Sequence, residues 1–221
     1  MSASGGFPID LVLFGMIAAF LVLRLRSILG KRQGFERQAP PVQPVRPATG
    51  PIIDAKAEPV QPAAATTVPA DASPTGQALA AMRGLDRNFD PARFLAGADQ
   101  AFRMIVAAFA AGNREALRPL LSDETYHAFE QAISAREKAG ETQVSEIKSM
   151  HQMGIESAEL KGRVGSVTAR IVSDQISYVT DKAGRPLSGT DAVTEITDIW
   201  TFERDLSQQD PTWRLVSARS G

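Results

Sequence analysis

The sequence lacks cysteine altogether, and only two of its 221 residues are histidines, His127 and His151. Without cysteine there can be no disulfide bond and no cysteine-ligated zinc or iron–sulfur centre. No HExxH spacing joins the histidines, and GxSxG, a Walker-type glycine loop and a dinucleotide fingerprint are also missing. We therefore expect no metal site, no cofactor and no catalytic residues.

An excess of charge of one sign is missing as well. The chain carries 24 lysines and arginines against 25 aspartates and glutamates, a formal net charge of -1. Because nucleic-acid-binding proteins present a basic field, this balance argues against a nucleic-acid partner. Proteins and membrane lipid are the partners that we expect instead.

A long apolar run does occur near the N-terminus. It reads FPIDLVLFGMIAAFLVL over residues 7–23, with Asp10 as its only charge. As a helix this run covers about 25 Å, and extension to Leu29 reaches the roughly 30 Å of a bilayer core. Arg24 and Arg26 can place their charged ends at the interface. Since the run is apolar on all sides, it favours spanning a bilayer over lying flat on it, and it predicts a transmembrane anchor at 7–29.

Basic residues lie on one side of this run only. None precedes it, and five follow it closely: Arg24, Arg26, Lys31, Arg32 and Arg37. Positive residues stay on the cytoplasmic side, so we expect a single-pass inner (plasma) membrane protein with its N-terminus outside and its C-terminal domain in the cytoplasm. A cleaved secretory signal, which has basic residues ahead of its apolar core, is the less favoured alternative.

A second segment, residues 30–75, is first basic and then rich in proline and alanine. Nine of the 14 prolines lie between residues 38 and 74. Proline removes backbone donors and restricts the residue before it, so neither helix nor sheet propagates. We predict a disordered linker, about 35 Å from end to end on average. Such segments also bind aromatic grooves, but a spacer is the favoured interpretation.

The remaining residues, 76–221, are predicted to form one folded domain. Helical spacing of apolar residues appears over 77–89 and 92–112, a brief helix follows at 114–121, and Ser122 and Gly140 bound a further helix. From residue 142 the apolar period changes to two, which predicts strands at 144–150, 157–162, 164–180, 191–205 and 212–218, with a polar glycine-rich loop at 181–192. Helices followed by an antiparallel meander predict an α+β fold, in which a curved sheet wraps a helix as a cone with an open mouth.

Two stretches carry a family resemblance: FDPARFLAGADQAFRMIVAAFAAGNREALRPLLSDETYHAF and TDIWTFERDLSQQDPTWRLV. Over about residues 77–219 the chain resembles the C-terminal domain of the mitochondrial inner-membrane import-motor tether subunit, and more specifically its alphaproteobacterial adaptor relatives. The resemblance implies a roll similar to ketosteroid isomerase and nuclear transport factor two, membrane association, and scaffolding in place of catalysis. The N-terminal half through which the mitochondrial members engage the channel and chaperone is missing here, so a role in import does not transfer.

The function predicted from these features is a membrane-anchored, non-catalytic adaptor. Its protein partner is unidentified, with chaperone and translocase components as candidates. Within residues 77–110, a basic amphipathic edge provides candidate lipid contacts: Arg83, Arg87, Arg93 and Phe89. The alternative is that the apolar residues of this edge are simply core.

Two other functions remain open. A roll that binds a lipid or another small hydrophobic ligand could use four aromatic residues, Phe109, Trp200, Phe202 and Trp213, unless these are only core. An isomerase-like enzyme could use Asp198, which alternates with apolar residues and, if buried, would suit proton abstraction. The favoured interpretation is structural, in which Asp198 pairs with Arg170 or Arg214 on a neighbouring strand or accepts hydrogen bonds from backbone donors.

Overall fold

The computed structural model describes residues 65–221. The predicted anchor at 7–29 and the predicted linker as far as residue 64 lie outside the described residues. Four helices and five strands follow in this order: β1 Ala65–Thr67, α1 Pro74–Leu85, α2 Pro91–Ala111, α3 Arg114–Leu117, α4 Asp123–Ala139, β2 Thr142–Lys161, β3 Val164–Thr180, β4 Pro186–Asp205 and β5 Arg214–Ser220.

The helices begin and end at residues that cap them. The Oγ of Ser73 accepts a hydrogen bond from the Gly76 amide at the start of α1, and Oδ1 of Asp90 accepts one from the Arg93 amide at the start of α2. Proline occupies the first position of both helices, where its missing N–H costs nothing. The predicted cap of α4 is also present, since the Ser122 hydroxyl accepts from the Thr125 amide.

The five strands form one sheet in the order β1-β2-β3-β4-β5. The last four pair antiparallel, as the sequence predicted, whereas β1 pairs parallel with β2 through Thr66↔Met153 and Thr67↔Gly154. Strand β1 comes from the segment that the sequence assigned to the linker. Gly154 allows this pairing, because a Cβ there would lie only 3.2 Å from Thr67.

Strands β2 and β4 are longer than their sequence patterns indicated. The two predicted strands of β2 are continuous, with register shifts after Ile147, Met150 and Ile155. The predicted loop at 181–192 narrows to a turn, because β4 begins at Pro186 and pairs with the end of β3. The polar side chains of this segment reflect its exposure to solvent, and they do not prevent it from pairing as a strand.

The core lies between α2 and the concave face of the sheet. Phe102 and Ile105 of α2 are 0% and 1% exposed, and they share the core with Val167, Ala169 and Ile171 of β3. Among residues 65–221, α2 is the one helix long and apolar enough to cross a bilayer, but its apolar face is covered in the manner of a core helix. The α+β class predicted from the sequence is confirmed.

Candidate functional site

An apolar groove of about 370 Å³ lies between α2 and the chain that connects β4 to β5. Its floor is formed by Phe94, Ala98 and Phe202, all buried, and its far wall by the half-buried Trp213. Gly97 lies on the α2 side of the groove, which is unobstructed, because a Cβ at this position would meet no atom within 4 Å. A concave apolar surface of this size suits an apolar side chain or an acyl chain.

The aromatic rings of the groove hold one another in place. The ring centroid of Phe94 lies 5.0 Å from that of Trp213 and 6.0 Å from that of Phe202, both in edge-on arrangements. Phe89 adds a tilted contact to Trp213 at 5.6 Å. Edge-on aromatic pairs contribute about 0.5–1.5 kcal/mol beyond the area they bury, so the floor is preorganised.

Charged and polar groups surround this apolar floor. Arg93 and Gln100 are exposed at the rim, beside Met104, whose exposure is 49%. Beneath the rim, Arg204 forms an ion pair with Asp86 at 2.9 Å, in which the side chains are 11% and 12% exposed. The apolar surface is thus open to a partner while the ion pair belongs to the wall.

The structure brings together two of the four aromatic residues proposed as pocket candidates. Phe202 and Trp213 line the groove. Trp200 is instead buried in the core at 3% exposure, and Phe109 lies at the other end of α2 with its ring 4.9 Å from that of Phe129. The sequence shows that these residues are aromatic, but only their packing shows which of them line the groove and which lie in the core.

The structure also places the four candidate lipid contacts in two environments, exposed and buried. Arg83, Arg87 and Arg93 are exposed, and Arg93 stands at the groove rim. Phe89 is only 4% exposed and packs on Trp213, so its side chain belongs to the core and not to an amphipathic surface. The three arginines are therefore exposed to solvent, whereas Phe89 offers no surface for lipid.

Asp198 is buried on the concave face, at 2% exposure. Its Oδ2 accepts a hydrogen bond of 2.8 Å from Nε2 of Gln175. The sheet register places neither of the two expected arginines beside Asp198: Arg170 lies opposite the next residue, on the other face, and Arg214 lies opposite Glu203. Register is a tertiary property that alternation along one strand does not reveal.

A polar cluster on the other face of the sheet was missed from the sequence. His151, Asp174 and Glu195 lie on three adjacent strands, and one ligand atom from each falls within 4.8 Å of the others. The hydroxyl of Ser149 donates to Asp174, and together with His151 it holds the pKa of that carboxyl below its ordinary value, against the opposing effect of desolvation. These residues have the donor types for a metal ion, and the first and the last lie 44 positions apart in the sequence.

The model of the Tim44-like domain family matches residues 75–220. No curated protein matches the sequence at a significant level. Among solved structures, the intermembrane-space region of the chloroplast protein ARC6 is similar over 60% of this chain and 97% of its own, with 14% identity and a TM-score of 0.44. A protein of the NTF2-like family from Streptomyces avermitilis is similar over 59% and 96%, with 13% identity and a TM-score of 0.35.

Proposed function

We propose, from the premise that this chain belongs to the family of Tim44-like domains, that it is a non-catalytic adaptor that holds a protein partner at a membrane. In this proposal it is of the bacterial, membrane-tethered kind. Residues 7–29 cross the inner membrane with the N-terminus outside, residues 30–64 act as a spacer that β1 joins to the sheet, and the folded domain works on the cytoplasmic side.

The open apolar groove beside α2 is the observation that carries the binding function. Its volume of about 370 Å³ has room for an apolar side chain, and its rim offers Arg93 and Gln100 for polar contacts. Protein interfaces combine a desolvated apolar centre with a polar rim in this way. An apolar residue of a partner, flanked by acidic or amide groups, fits this surface.

The charged groups that line the groove walls have structural roles, which supports binding in place of chemistry. The Asp90 carboxylate caps α2 by accepting from the Arg93 amide. The Arg204 guanidinium is paired with Asp86 and donates from Nε to the carbonyl of Asp210. Both groups are thus engaged in contacts that hold the fold together.

Site-specific photo-crosslinking of the full-length chain in its native membranes tests this function. The crosslinker replaces Met104, at the groove rim, and the matched control replaces Leu187, which is similarly exposed at 53% but lies away from the groove. We expect a discrete protein adduct from position 104 only. The adduct should disappear when Gly97→Leu fills the groove and persist with Gly84→Leu, since Gly84 is equally unobstructed but lies on α1. Equal adducts from both positions, or an adduct that survives Gly97→Leu, would rule out the groove as the binding site.

A lipid or another small hydrophobic ligand is the second candidate, favoured by the apolar floor beneath an exposed arginine. Native mass spectrometry of the full-length chain from gentle detergent separates the two functions. A ligand that uses the groove should be retained by the wild type and by Gly84→Leu and lost from Gly97→Leu. Equal retention by all three proteins would place the lipid elsewhere.

A further inference from the structure

The convex face of the sheet carries a cluster of metal-ligating side chains, apart from the groove. His151 lies on β2, Asp174 on β3 and Glu195 on β4, so three neighbouring strands each contribute one residue. Asp174 is flanked on β3 by Ser173 and Gln175, both buried on the concave face. Its own side chain therefore points outward, because successive side chains of a strand alternate between faces.

Two features of the sheet bring these groups together. Asp174 and Glu195 are direct register partners, which places two carboxylates side by side. His151 is the extra residue of a β-bulge, since β2 shifts register between Met150 and Gln152. Bulges re-aim a side chain, and here the imidazole Nε2 lies 2.9 Å from Oδ2 of Asp174.

A simple ion pair accounts for only part of this arrangement. His151 and Asp174 satisfy each other, but Glu195 adds a second negative charge directly across the strand pair, where like charges destabilise a sheet. A cation bound by all three side chains would offset the repulsion between the two carboxylates. The Ser149 hydroxyl, which donates to Oδ2 of Asp174 at 2.8 Å, would orient the carboxylate as outer hydrogen bonds do in metal sites.

The donor set selects the kind of ion. One imidazole nitrogen and two carboxylates suit zinc and the neighbouring divalent transition metals, whereas calcium takes six to eight oxygens. From these observations we propose that His151, Asp174 and Glu195 form a binding site for a divalent transition-metal ion of the zinc class. Three protein ligands leave at least one position for water or for a group from a partner. This site does not depend on the proposed function of the groove.

Cobalt binding to the full-length chain tests the site, because its visible spectrum reports coordination. The chain contains no cysteine and only two histidines, so the signal is simple to assign if the protein is purified without a histidine tag. We expect about one Co²⁺ per chain, displaced by Zn²⁺, with affinity reduced at least about tenfold in His151→Ala and in Glu195→Gln. His127→Ala is the matched control, since His127 is also exposed beside a carboxylate, with its Nδ1 3.8 Å from Glu130.

Glu195→Gln distinguishes a metal site from the ion pair alone, because it leaves His151 and Asp174 in place. At a Zn²⁺ concentration close to the wild-type Kd, the Tm of the wild type and of His127→Ala should rise, and that of Glu195→Gln should rise much less. The proposal is overturned if the wild type shows no saturable binding, if His127→Ala weakens binding as much as His151→Ala, or if Glu195→Gln binds like the wild type.

Discussion

Arg204 and Asp86 form a largely buried ion pair that joins parts of the chain 118 residues apart. Nη1 of Arg204 lies 2.9 Å from Oδ2 of Asp86, the C-cap residue that follows α1, while its Nε donates to the carbonyl of Asp210 in the β4–β5 connection. One guanidinium thereby connects α1, β4 and the chain that forms the far wall of the groove. We infer that it holds the groove in shape.

Removal of this guanidinium should be costly. Arg204→Met leaves the Asp86 carboxylate buried without its partner, and we expect the free energy of unfolding to fall by about 3–5 kcal/mol. Urea denaturation of the full-length chain in detergent measures the change. The exposed pair of Asp99 and Arg103, 37% and 45% exposed, is the control, and Asp99→Asn should cost about 0.5 kcal/mol or less. A similar small loss for Arg204→Met would show that the pair contributes no more than a surface contact.

Filling the groove from α2 should stabilise the fold even as it blocks binding. Gly97→Leu replaces a glycine inside a helix with a good helix former, in open space, and we expect a gain of roughly 0.5–1 kcal/mol in the free energy of unfolding. Gly84→Leu on α1 should gain a comparable amount without touching the groove. A loss of stability in Gly97→Leu alone would mean that the groove is closed at this position.

The ion pair between α3 and α4 should be visible in a carboxyl titration. A hydrogen bond from Arg114 lowers the pKa of Glu137, with a distance of 2.8 Å between Nη2 and Oε2. Because the folded pKa is depressed, the pair's contribution to stability is complete above the unfolded pKa of about 4.3 and is lost as pH falls through the lower folded value. In carbon-13 NMR, Arg114→Ala should return the Glu137 midpoint towards its ordinary value.

A neighbouring pair supplies the control for that titration. Arg118 lies 2.7 Å from Asp123 and lowers the pKa of that carboxyl in the same way. Arg118→Ala should therefore raise the titration midpoint of Asp123 and leave that of Glu137 unchanged. Arg114→Ala should raise the midpoint of Glu137 and leave that of Asp123 unchanged. If both variants move both midpoints equally, general charge and not direct pairing sets these pKa values.

Gln175 should matter to stability because it donates to a buried carboxylate. Gln175→Leu removes the bond of 2.8 Å from its Nε2 to Asp198, and we expect a loss of about 1–3 kcal/mol in chemical denaturation. Gln131→Leu, at an exposed position on α4, should stay within about 0.5 kcal/mol of the wild type. No measurable loss in Gln175→Leu would show that this hydrogen bond is dispensable to Asp198.

The predicted anchor can be tested independently of the groove. Deletion of residues 1–29 should move the chain from the membrane fraction to the soluble fraction, because the apolar run supplies most of the attachment. In intact spheroplasts, external protease should leave the folded domain of the full-length chain undigested. Digestion from outside would overturn the proposed orientation, and a full-length chain found in the soluble fraction would overturn the anchor itself.

Local sequence determined the helices of this protein. Ser122 and Gly140 bound α4 as predicted, and Asp90-Pro91 separates α1 from α2, because capping and termination depend on residues within one turn of each other. The period of two likewise predicted β3 and most of β4. These local features were sufficient to predict the α+β class without knowledge of any long-range contact.

Only the tertiary structure decided which distant residues meet. Alternation places Asp198 on a face, but the register between β3 and β4 decides that it meets Gln175 and not Arg170. The same register, together with a bulge, brings His151 to Asp174, and chain folding brings Arg204 to Asp86. Local preferences carry no information about how far one strand slides along another. That choice is made by packing the whole core at once, and both the groove and the polar cluster depend on it.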